Sequence, residues 1–247
     1  MPVFRTGSKL HYFAHVPKCG GSSVELYLQQ RFGEMAFVDY TSFDRETKKR
    51  RWSRTSPQHV AWTEFARLMP GSWISGVFGV VRHPEARLIS AYHHFTDSIA
   101  DDASCPELDD WFARWLARED YYQYDNHLLP QSELIPDWAT VFRLEEGLDA
   151  VIPYLDELAG DTAGARALPA INKRKADGTG RPRAQVSEAT RALIAETYAE
   201  DFTRFGYVLG GGLMDRPRPM RRPVPHRQGP LWKIARRVRY WLKSQSK

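Results

Sequence analysis

The stretch Trp73–Val81 (WISGVFGVV) most constrains how this chain can fold, because it is almost continuously apolar and rich in valine. A strand with one solvated face alternates apolar and polar residues, whereas a run without that alternation predicts a strand buried on both faces. Such strands belong to parallel sheets that helices cover on each side. Pro84 then suits the first turn of a helix, whose apolar face is formed by Leu88, Ala91, Tyr92 and Phe95.

A similar strand–turn–helix unit lies near the start of the chain. His11–Val16 is predicted as a strand, a glycine-rich turn follows it, and Ser22–Phe32 is predicted as a helix. Two such units favour an α/β fold with a parallel sheet, and Ala139–Leu144 adds a third candidate strand. Further helices are predicted over Asp109–Glu119, Leu148–Leu158 and Ser187–Arg204.

The composition indicates in which cellular compartment the protein is expected. The 247 residues have a mean hydropathy of -0.53 and contain no apolar run of the ~18 residues that a membrane-spanning helix needs. A secretory leader is not expected, because the glycine-rich motif already begins by residue 17. Cys19 and Cys105 supply neither a disulfide framework nor zinc-ligand spacing. We therefore expect a reducing, cytoplasmic location.

The charge is distributed unevenly along the chain. The chain carries a net charge of +5, yet the 11 Lys and Arg residues and single acid of the tail (residues 213–247) leave the first 212 residues mildly acidic. A specific nucleic-acid partner is not expected from such a body. We predict three parts: a domain over 1–212, a Pro/Arg-rich linker over 213–230 and a basic amphipathic helix over 231–247. With Trp232 and Trp241 as anchors, this helix predicts peripheral membrane contact; docking on the body or on a second subunit is the alternative.

The motif His15–Ser23 (HVPKCGGSS) has the composition of an anion site. Its glycines allow a tight turn in which backbone N–H groups converge at the positive end of the following helix. Lys18 adds a positive charge, and Ser22 and Ser23 add hydroxyl donors. The lysine precedes the glycines, so the motif is not a Walker A loop. A glycine turn with a solvated lysine is the alternative interpretation.

Arg82 and Ser90 form the second candidate pair. Arg82 ends the buried strand and Ser90 follows about two helical turns later, which places both near the carboxyl ends of parallel strands, where open α/β sheets bind ligands. A guanidinium and a hydroxyl together suit a phosphate monoester. Alternatively, Arg82 pairs with Glu85 and Ser90 only fills the helix.

Taken together, these segments resemble sulfotransferases that use 3′-phosphoadenosine-5′-phosphosulfate (PAPS), and more narrowly the carbohydrate sulfotransferase family that includes heparan sulfate 2-O-sulfotransferases and bacterial members. His15–Ser23 is similar to the family's 5′-phosphosulfate loop, H-x-P-K-[TC]-G-[GS]-[TS]-S. Val80–Tyr92 (VVRHPEARLISAY) is similar to its 3′-phosphate element, and Glu200–Tyr207 (EDFTRFGY) to its closing segment. The resemblance spans about residues 10–208. It implies a P-loop NTPase-like three-layer fold, with a central, mostly parallel sheet flanked by helices.

The resemblance also implies roles for individual residues. Lys18 would contact the bridging oxygen of the leaving 5′-phosphate, and Arg82 and Ser90 would hold the 3′-phosphate. Lys173, with its basic neighbours, would fold over the bound nucleotide, with a solvated basic loop as the alternative, and Cys19 would be a small turn residue. The 5′-phosphate would be cradled by Gly20, Gly21, Ser22 and Ser23. PAPS would be the co-substrate and 3′,5′-ADP the product, with no metal required.

A base is needed to accept the proton of the attacking hydroxyl, and histidine suits that task near neutral pH. His59 lies in a segment (QHVAWTEF) that resembles the family's H-G-H-V-x-[FYW]-x-[DE]-F, although Pro57 replaces the first histidine. The alternatives are a structural role for His59 and Glu64 as the base. No metal site is expected from the spacing of His93, His94 and His127.

The predicted reaction is sulfuryl transfer to a hydroxyl of a carbohydrate or glycolipid acceptor. Two other functions stay open: a P-loop kinase-like phosphotransferase, and a non-catalytic nucleotide-fold module tethered by its tail. The sequence fixes neither the acceptor nor the oligomeric state.

Overall fold

The structure is a computed structural model that describes residues 1–42, 51–97, 105–118, 123–171 and 184–214. Four strands occur in these ranges: β1 (Val3–Thr6), β2 (Lys9–Ala14), β3 (Ile74–Val81) and β4 (Thr140–Arg143). The helices there are α1 (Gly21–Phe32), α2 (Trp62–Phe65), α3 (Pro84–Asp97), α4 (Leu108–Leu116), α5 (Gln131–Leu134), α6 (Val151–Ala159), α7 (Glu188–Thr197) and α8 (Ala199–Phe205). Short 3₁₀ turns cover Pro57–His59, Gly71–Trp73, Gln123–Asn126, Leu144–Glu146 and Leu148–Ala150.

The strands form one mostly parallel sheet in the order β1-β2-β3-β4. β1 and β2 make an antiparallel hairpin, in which Val3 pairs with Tyr12, whereas β2–β3 and β3–β4 are parallel. The α/β prediction is therefore confirmed. The hairpin strand β1 was not predicted, because four residues are too few to show a period.

Helices cover both faces of β3, as its apolar sequence requires. A Cβ added to Gly76 would meet Leu158 of α6 at 3.0 Å, and one added to Gly79 would meet Ile135, just after α5, at 2.9 Å. Glycine thus allows close approach on each side of the strand. Residues Val77–Val81 are all buried, which confirms the prediction of a strand covered on two faces.

The apolar interior has two clusters. The larger surrounds the sheet, and the smaller lies where α3, α4 and α7 meet, with Trp111, Phe112 and Trp115 fully buried on α4. The spacing of these aromatics is that of one helical face, so the predicted amphipathic helix is confirmed over Leu108–Leu116.

Two predicted helices have different bounds. The long helix predicted over Ser187–Arg204 is divided into α7 and α8 at Tyr198, whose backbone angles (φ -110, ψ 26) leave the helical region. The helix predicted to begin at Leu148 begins as a 3₁₀ turn and becomes α-helical at Val151.

Several predictions fall on other parts of the chain. Lys173, most of the predicted linker and the predicted helix 231–247 lie outside the described residues. Within the described ranges, the structure contains no helix with both the length and the apolar character that crossing a membrane would require.

Candidate active site

Two loops meet at the carboxyl ends of neighbouring parallel strands. The β2–α1 loop (residues 15–20) follows β2, and the β3–α3 loop (Arg82 and His83) follows β3. The guanidinium of Arg82 donates from Nη1 to the carbonyl oxygen of Lys18 at 3.3 Å. The two predicted anion-binding motifs, far apart in sequence, therefore touch each other.

The backbone of the β2–α1 loop presents unsatisfied donors. Lys18 (φ 68) and Gly20 (φ 82) are both left-handed, which turns the chain sharply into α1. The carbonyl of Gly20 already accepts from the N–H groups of Ser23 and Val24. Among the described residues, nothing accepts from the N–H groups of the residues that open the helix: Cys19, Gly20, Gly21 and Ser22. Such a set of N–H groups at the start of a 12-residue helix is an arrangement suited to an anionic ligand.

The ring of His15 leaves no room for a side chain at Gly21. A Cβ at Gly21 would lie 1.9 Å from Nε2 of His15, so the imidazole packs directly on the start of α1. Nδ1 of His15 hydrogen-bonds to Oε1 of Glu25 at 2.7 Å, one turn further along α1. Burial opposes ionisation of Glu25, yet the hydrogen bond and charge of His15 outweigh it and lower the pKa of the carboxyl.

Lys18 and Arg82 supply positive charge that no described carboxylate neutralises by an ion pair. Burial, and after it the charge of Arg82, lowers the pKa of the Lys18 ammonium. Glu85, the expected alternative partner of Arg82, instead accepts from Nε of Arg191 at 3.2 Å. Two neighbouring cations beside free N–H donors are suited to an anionic ligand.

Gln131, which the sequence analysis missed, joins the two loops. Its Oε1 accepts from the N–H of Arg82 at 2.9 Å and lies 3.4 Å from Sγ of Cys19, and its Nε2 donates to the carbonyl of Arg82 at 2.9 Å. Burial raises the pKa of the Cys19 thiol to about 12, so it stays protonated. Cys19 is buried within the loop.

Asp201, in the closing segment, holds Gln131 in place. The Asp201 carboxylate accepts from the N–H groups of Gln131 at 2.9 Å and Ser132 at 2.8 Å, which caps α5. The closing segment also contributes Tyr207, whose hydroxyl donates to Oε2 of Glu145 at 2.9 Å, while Oε1 accepts from the N–H of His83 at 2.8 Å. The predicted closing motif thus supports the β3–α3 loop from behind.

Arg87 is buried and bonds to carbonyl groups. It donates from Nε to Pro17 at 3.1 Å, and from Nη2 to His127 at 2.9 Å and Leu129 at 2.8 Å. All three of these acceptors lie outside α3, the helix that carries Arg87. This side chain instead fastens the β2–α1 loop to the segment around residue 127.

His59 has a carboxylate partner that the sequence analysis missed. Nδ1 of His59 lies 2.6 Å from Oδ2 of Asp125 and 3.1 Å from Oγ of Ser56. Asp125 belongs to the left-handed turn (residues 124–126), and Asn126 of that turn donates to the carbonyl of His59 at 2.8 Å. Asp and Asn are the residues, glycine aside, that best tolerate left-handed angles, so the Asp-Asn pair was the available signal.

Four imidazoles lie in a row beside the loop. Ring centroids are 4.9 Å apart for His15 and His59, 5.1 Å for His59 and His127, and 5.1 Å for His127 and His94. Burial lowers the pKa of His15 and lowers that of His127 further, which favours neutral rings. Within the described ranges, no three His, Cys, Asp or Glu side chains are grouped so as to hold a metal ion.

The remaining predicted site residues differ in burial and in their partners. Ser22 is exposed at the start of α1, and Ser90 is half-buried on α3. Ser23 is buried, and its Oγ accepts from the N–H of Ile171 at 3.2 Å. Glu64 pairs with the exposed Arg67 at 3.3 Å.

Comparison with known proteins agrees with this geometry. A model of the Sulfotransferase family matches residues 3–208, which include both loops, His59, Asp125 and the closing segment. Neither the curated proteins nor the solved structures contain a match to the chain. The match covers most of the chain, and we conclude that this protein belongs to the sulfotransferase family and is a transferase enzyme.

Proposed function

We propose that this enzyme transfers the sulfuryl group of PAPS to a hydroxyl of a carbohydrate or glycolipid acceptor. The observation that carries the proposal is the contact between the two loops, where Lys18 and Arg82 lie beside backbone N–H groups without described acceptors. Sulfotransferases in general take their sulfuryl group from PAPS, whose nucleotide part carries phosphates at both the 3′ and 5′ positions. Two adjacent anion sites match such a donor.

Different residues would bind the 5′-phosphate and the 3′-phosphate of the donor. The N–H groups of residues 19–22 would surround the 5′-phosphate, with Lys18 against the oxygen that bridges to sulfur. The forked guanidinium of Arg82, with the hydroxyl of Ser90, would hold the 3′-phosphate. Lys173 remains a further candidate, since the hydrogen bond from Ile171 to Ser23 brings the chain near the cradle just before that residue.

The reaction is an in-line displacement at sulfur. A lone pair of the acceptor oxygen forms the new S–O bond as the bond from sulfur to the bridging oxygen breaks, and that electron pair stays with 3′,5′-ADP. The acceptor proton passes to His59, whose Nε2 has no hydrogen-bond partner among the described residues. Lys18 and the N–H groups stabilise the charge that develops on the leaving oxygen.

Binding of 3′,5′-ADP without metal is the direct test of the donor site. Calorimetry should detect binding of 3′,5′-ADP in a chelating buffer, with ATP and Mg²⁺ binding far more weakly. Arg82→Ala should weaken 3′,5′-ADP binding by roughly 10²-fold, the loss of a charged, two-pronged hydrogen bond. Arg67→Ala is the matched control, because Arg67 is exposed and pairs only with its helical neighbour. Tight binding of ATP and Mg²⁺ instead would favour a kinase-like enzyme.

Turnover tests the roles of Lys18 and His59. Transfer from ³⁵S-labelled PAPS to a panel of oligosaccharides and glycolipids would identify the acceptor. With that acceptor, Lys18→Ala should lower kcat by on the order of 10²-fold or more, and His59→Ala should lower it similarly. Wild-type rates in Lys18→Ala would contradict the assigned stabilisation of the leaving group, and binding of 3′,5′-ADP without transfer to any acceptor would favour a non-catalytic module.

A further inference from the structure

Asp125 is surrounded by donors that belong to one short segment. Its Oδ1 accepts from the N–H of Ser56 at 2.6 Å, and its Oδ2 accepts from the hydroxyl of Ser56 at 2.8 Å and from Nδ1 of His59 at 2.6 Å. The hydroxyl of Ser56 also lies 3.1 Å from the same Nδ1. Both carboxylate oxygens are thus directed toward the 3₁₀ turn that carries His59.

The turn that presents Asp125 is unusual in its backbone. Tyr124, Asp125 and Asn126 have φ values of 55, 55 and 59, and consecutive left-handed residues with side chains are unfavourable. Side-chain contacts hold the turn in this form: Nδ1 of His127 donates to the carbonyl of Tyr124 at 2.5 Å, and Asn126 donates to the carbonyl of His59. Strained backbone that the surroundings hold in place is typical of functional sites.

We infer that Asp125 is the positioning residue of the base, an inference that rests on the proposed function of His59. A carboxylate at Nδ1 requires the ring proton there, because the carboxylate can only accept. The neutral imidazole then has its lone pair at Nε2, which is the atom that must take the acceptor proton. When that proton arrives, Asp125 stabilises the imidazolium that forms.

The state of the carboxylate is consistent with this role. Burial would raise the pKa of Asp125, but the hydrogen bond from His59 opposes burial, and the pKa of the carboxyl is lowered overall. Asp125 therefore stays ionised. The His15–Glu25 pair has the same Nδ1–carboxylate contact, but Nε2 of His15 packs against Gly21, where an acceptor hydroxyl has no room. His59 combines a carboxylate at Nδ1 with an Nε2 that makes no hydrogen bond to a described residue.

Nitrogen NMR of the histidine rings tests this inference without any acceptor. A long-range ¹H–¹⁵N spectrum of the full chain without added ligand should show His59 protonated at Nδ1; assignment comes from the loss of its signals in His59→Gln. In Asp125→Asn, the amide can donate to Nδ1, so the proton should move to Nε2. Asp110→Asn is the matched control, because Asp110 is exposed on α4 and should leave the spectrum unchanged. Protonation of His59 at Nε2 in the unaltered chain would overturn the inference, even if Asp125→Asn fails to fold.

Kinetics provides the second test. With the acceptor found by labelled transfer, Asp125→Asn should lower kcat on the order of 10³-fold, while the KM of the acceptor and the affinity for 3′,5′-ADP stay near their original values. Asp125→Glu, which keeps the negative charge, should recover part of the rate. Full kcat in Asp125→Asn would overturn the positioning role, and a parallel loss of kcat and 3′,5′-ADP affinity would show a merely structural one. Failure of the unaltered chain to bind 3′,5′-ADP would instead count against the proposed function, since the NMR result is independent of it.

Discussion

At the scale of single residues, His15 can pack against the start of α1 because Gly21 has no Cβ. Gly21→Ala would put a Cβ 1.9 Å from Nε2 of His15, so the ring would have to move and lose its 2.7 Å hydrogen bond to Glu25. Overpacking of this kind costs roughly 1–3 kcal/mol of unfolding free energy. Because the displaced loop is also the proposed anion-binding loop, we expect 3′,5′-ADP to bind at least ~10-fold more weakly, as measured by calorimetry.

Gly71→Ala is the control for that substitution. A Cβ at Gly71 would meet nothing within 4 Å, and its φ is not in the left-handed region. Its denaturation midpoint and 3′,5′-ADP affinity should therefore match the unaltered protein. Equal behaviour of the two alanine variants would mean that His15 does not pack on Gly21.

Individual site residues could be predicted only where their chemistry is local in sequence. Arg82 directly follows β3 and Lys18 lies in the loop after β2, and such positions meet at one edge of a parallel sheet. Asp125 and Gln131 act on partners 66 and 49 residues away, and nothing in their own neighbourhoods specifies those partners. Their roles follow from tertiary structure alone.

At the scale of elements, Arg87 connects α3 to two separate loops. It donates to the carbonyls of Pro17, His127 and Leu129, and its side chain is buried. Arg87→Met keeps most of the apolar stem but leaves three carbonyls without this donor. We expect a loss on the order of 3 kcal/mol in unfolding free energy, measured by urea denaturation, because unsatisfied buried groups cost about 1–3 kcal/mol each and some will find water.

Arg67→Met provides the comparison on α2 and its following turn. Arg67 is exposed and makes an i,i+3 pair with Glu64, which contributes less than about 0.5 kcal/mol in such settings. The loss of unfolding free energy should be several times larger in Arg87→Met than in Arg67→Met, because the hydrogen bonds of Arg87 are buried and the Arg67–Glu64 pair is solvated. A loss in Arg87→Met as small as that in Arg67→Met would contradict the proposed connection.

A helix or strand could be predicted where its burial requires a recognisable apolar pattern in the sequence. β3 is buried over its last five residues, so its apolar run predicted both its existence and its covering by helices. No apolar pattern marks the division between α7 and α8, because tyrosine is compatible with a helix. The backbone of Tyr198 nevertheless leaves the helical region, and its hydroxyl donates to the carbonyl of Leu128 at 2.9 Å. This local boundary coincides with a contact between residues 70 positions apart in sequence.

At the scale of the whole molecule, Met214 is bonded to the body of the protein and is therefore a suitable point for a truncation. The N–H of Met214 donates to the carbonyl of Gly206 at 2.9 Å, and its carbonyl accepts from Nη2 of Arg143 at 2.5 Å. A chain that ends at Met214 keeps these contacts and all residues that the family model matches. We expect that its melting temperature and 3′,5′-ADP affinity equal those of the full chain.

The same truncation tests the proposed membrane role of the tail. The 33 residues after Met214 contain 11 Lys and Arg and one Asp, a charge that should attract anionic lipid at about 1 kcal/mol per cation near the surface. The full chain should co-sediment with vesicles containing phosphatidylserine, bind less at high salt because charges are screened, and bind little to neutral phosphatidylcholine vesicles. Replacing Trp232 and Trp241 with alanine should weaken binding without altering the salt dependence, since the aromatic rings contribute apolar contact and no charge. Equal sedimentation of full and truncated chains would exclude lipid as the partner, and a lower mass of the truncated assembly in solution would assign the tail to contact between two copies of the chain.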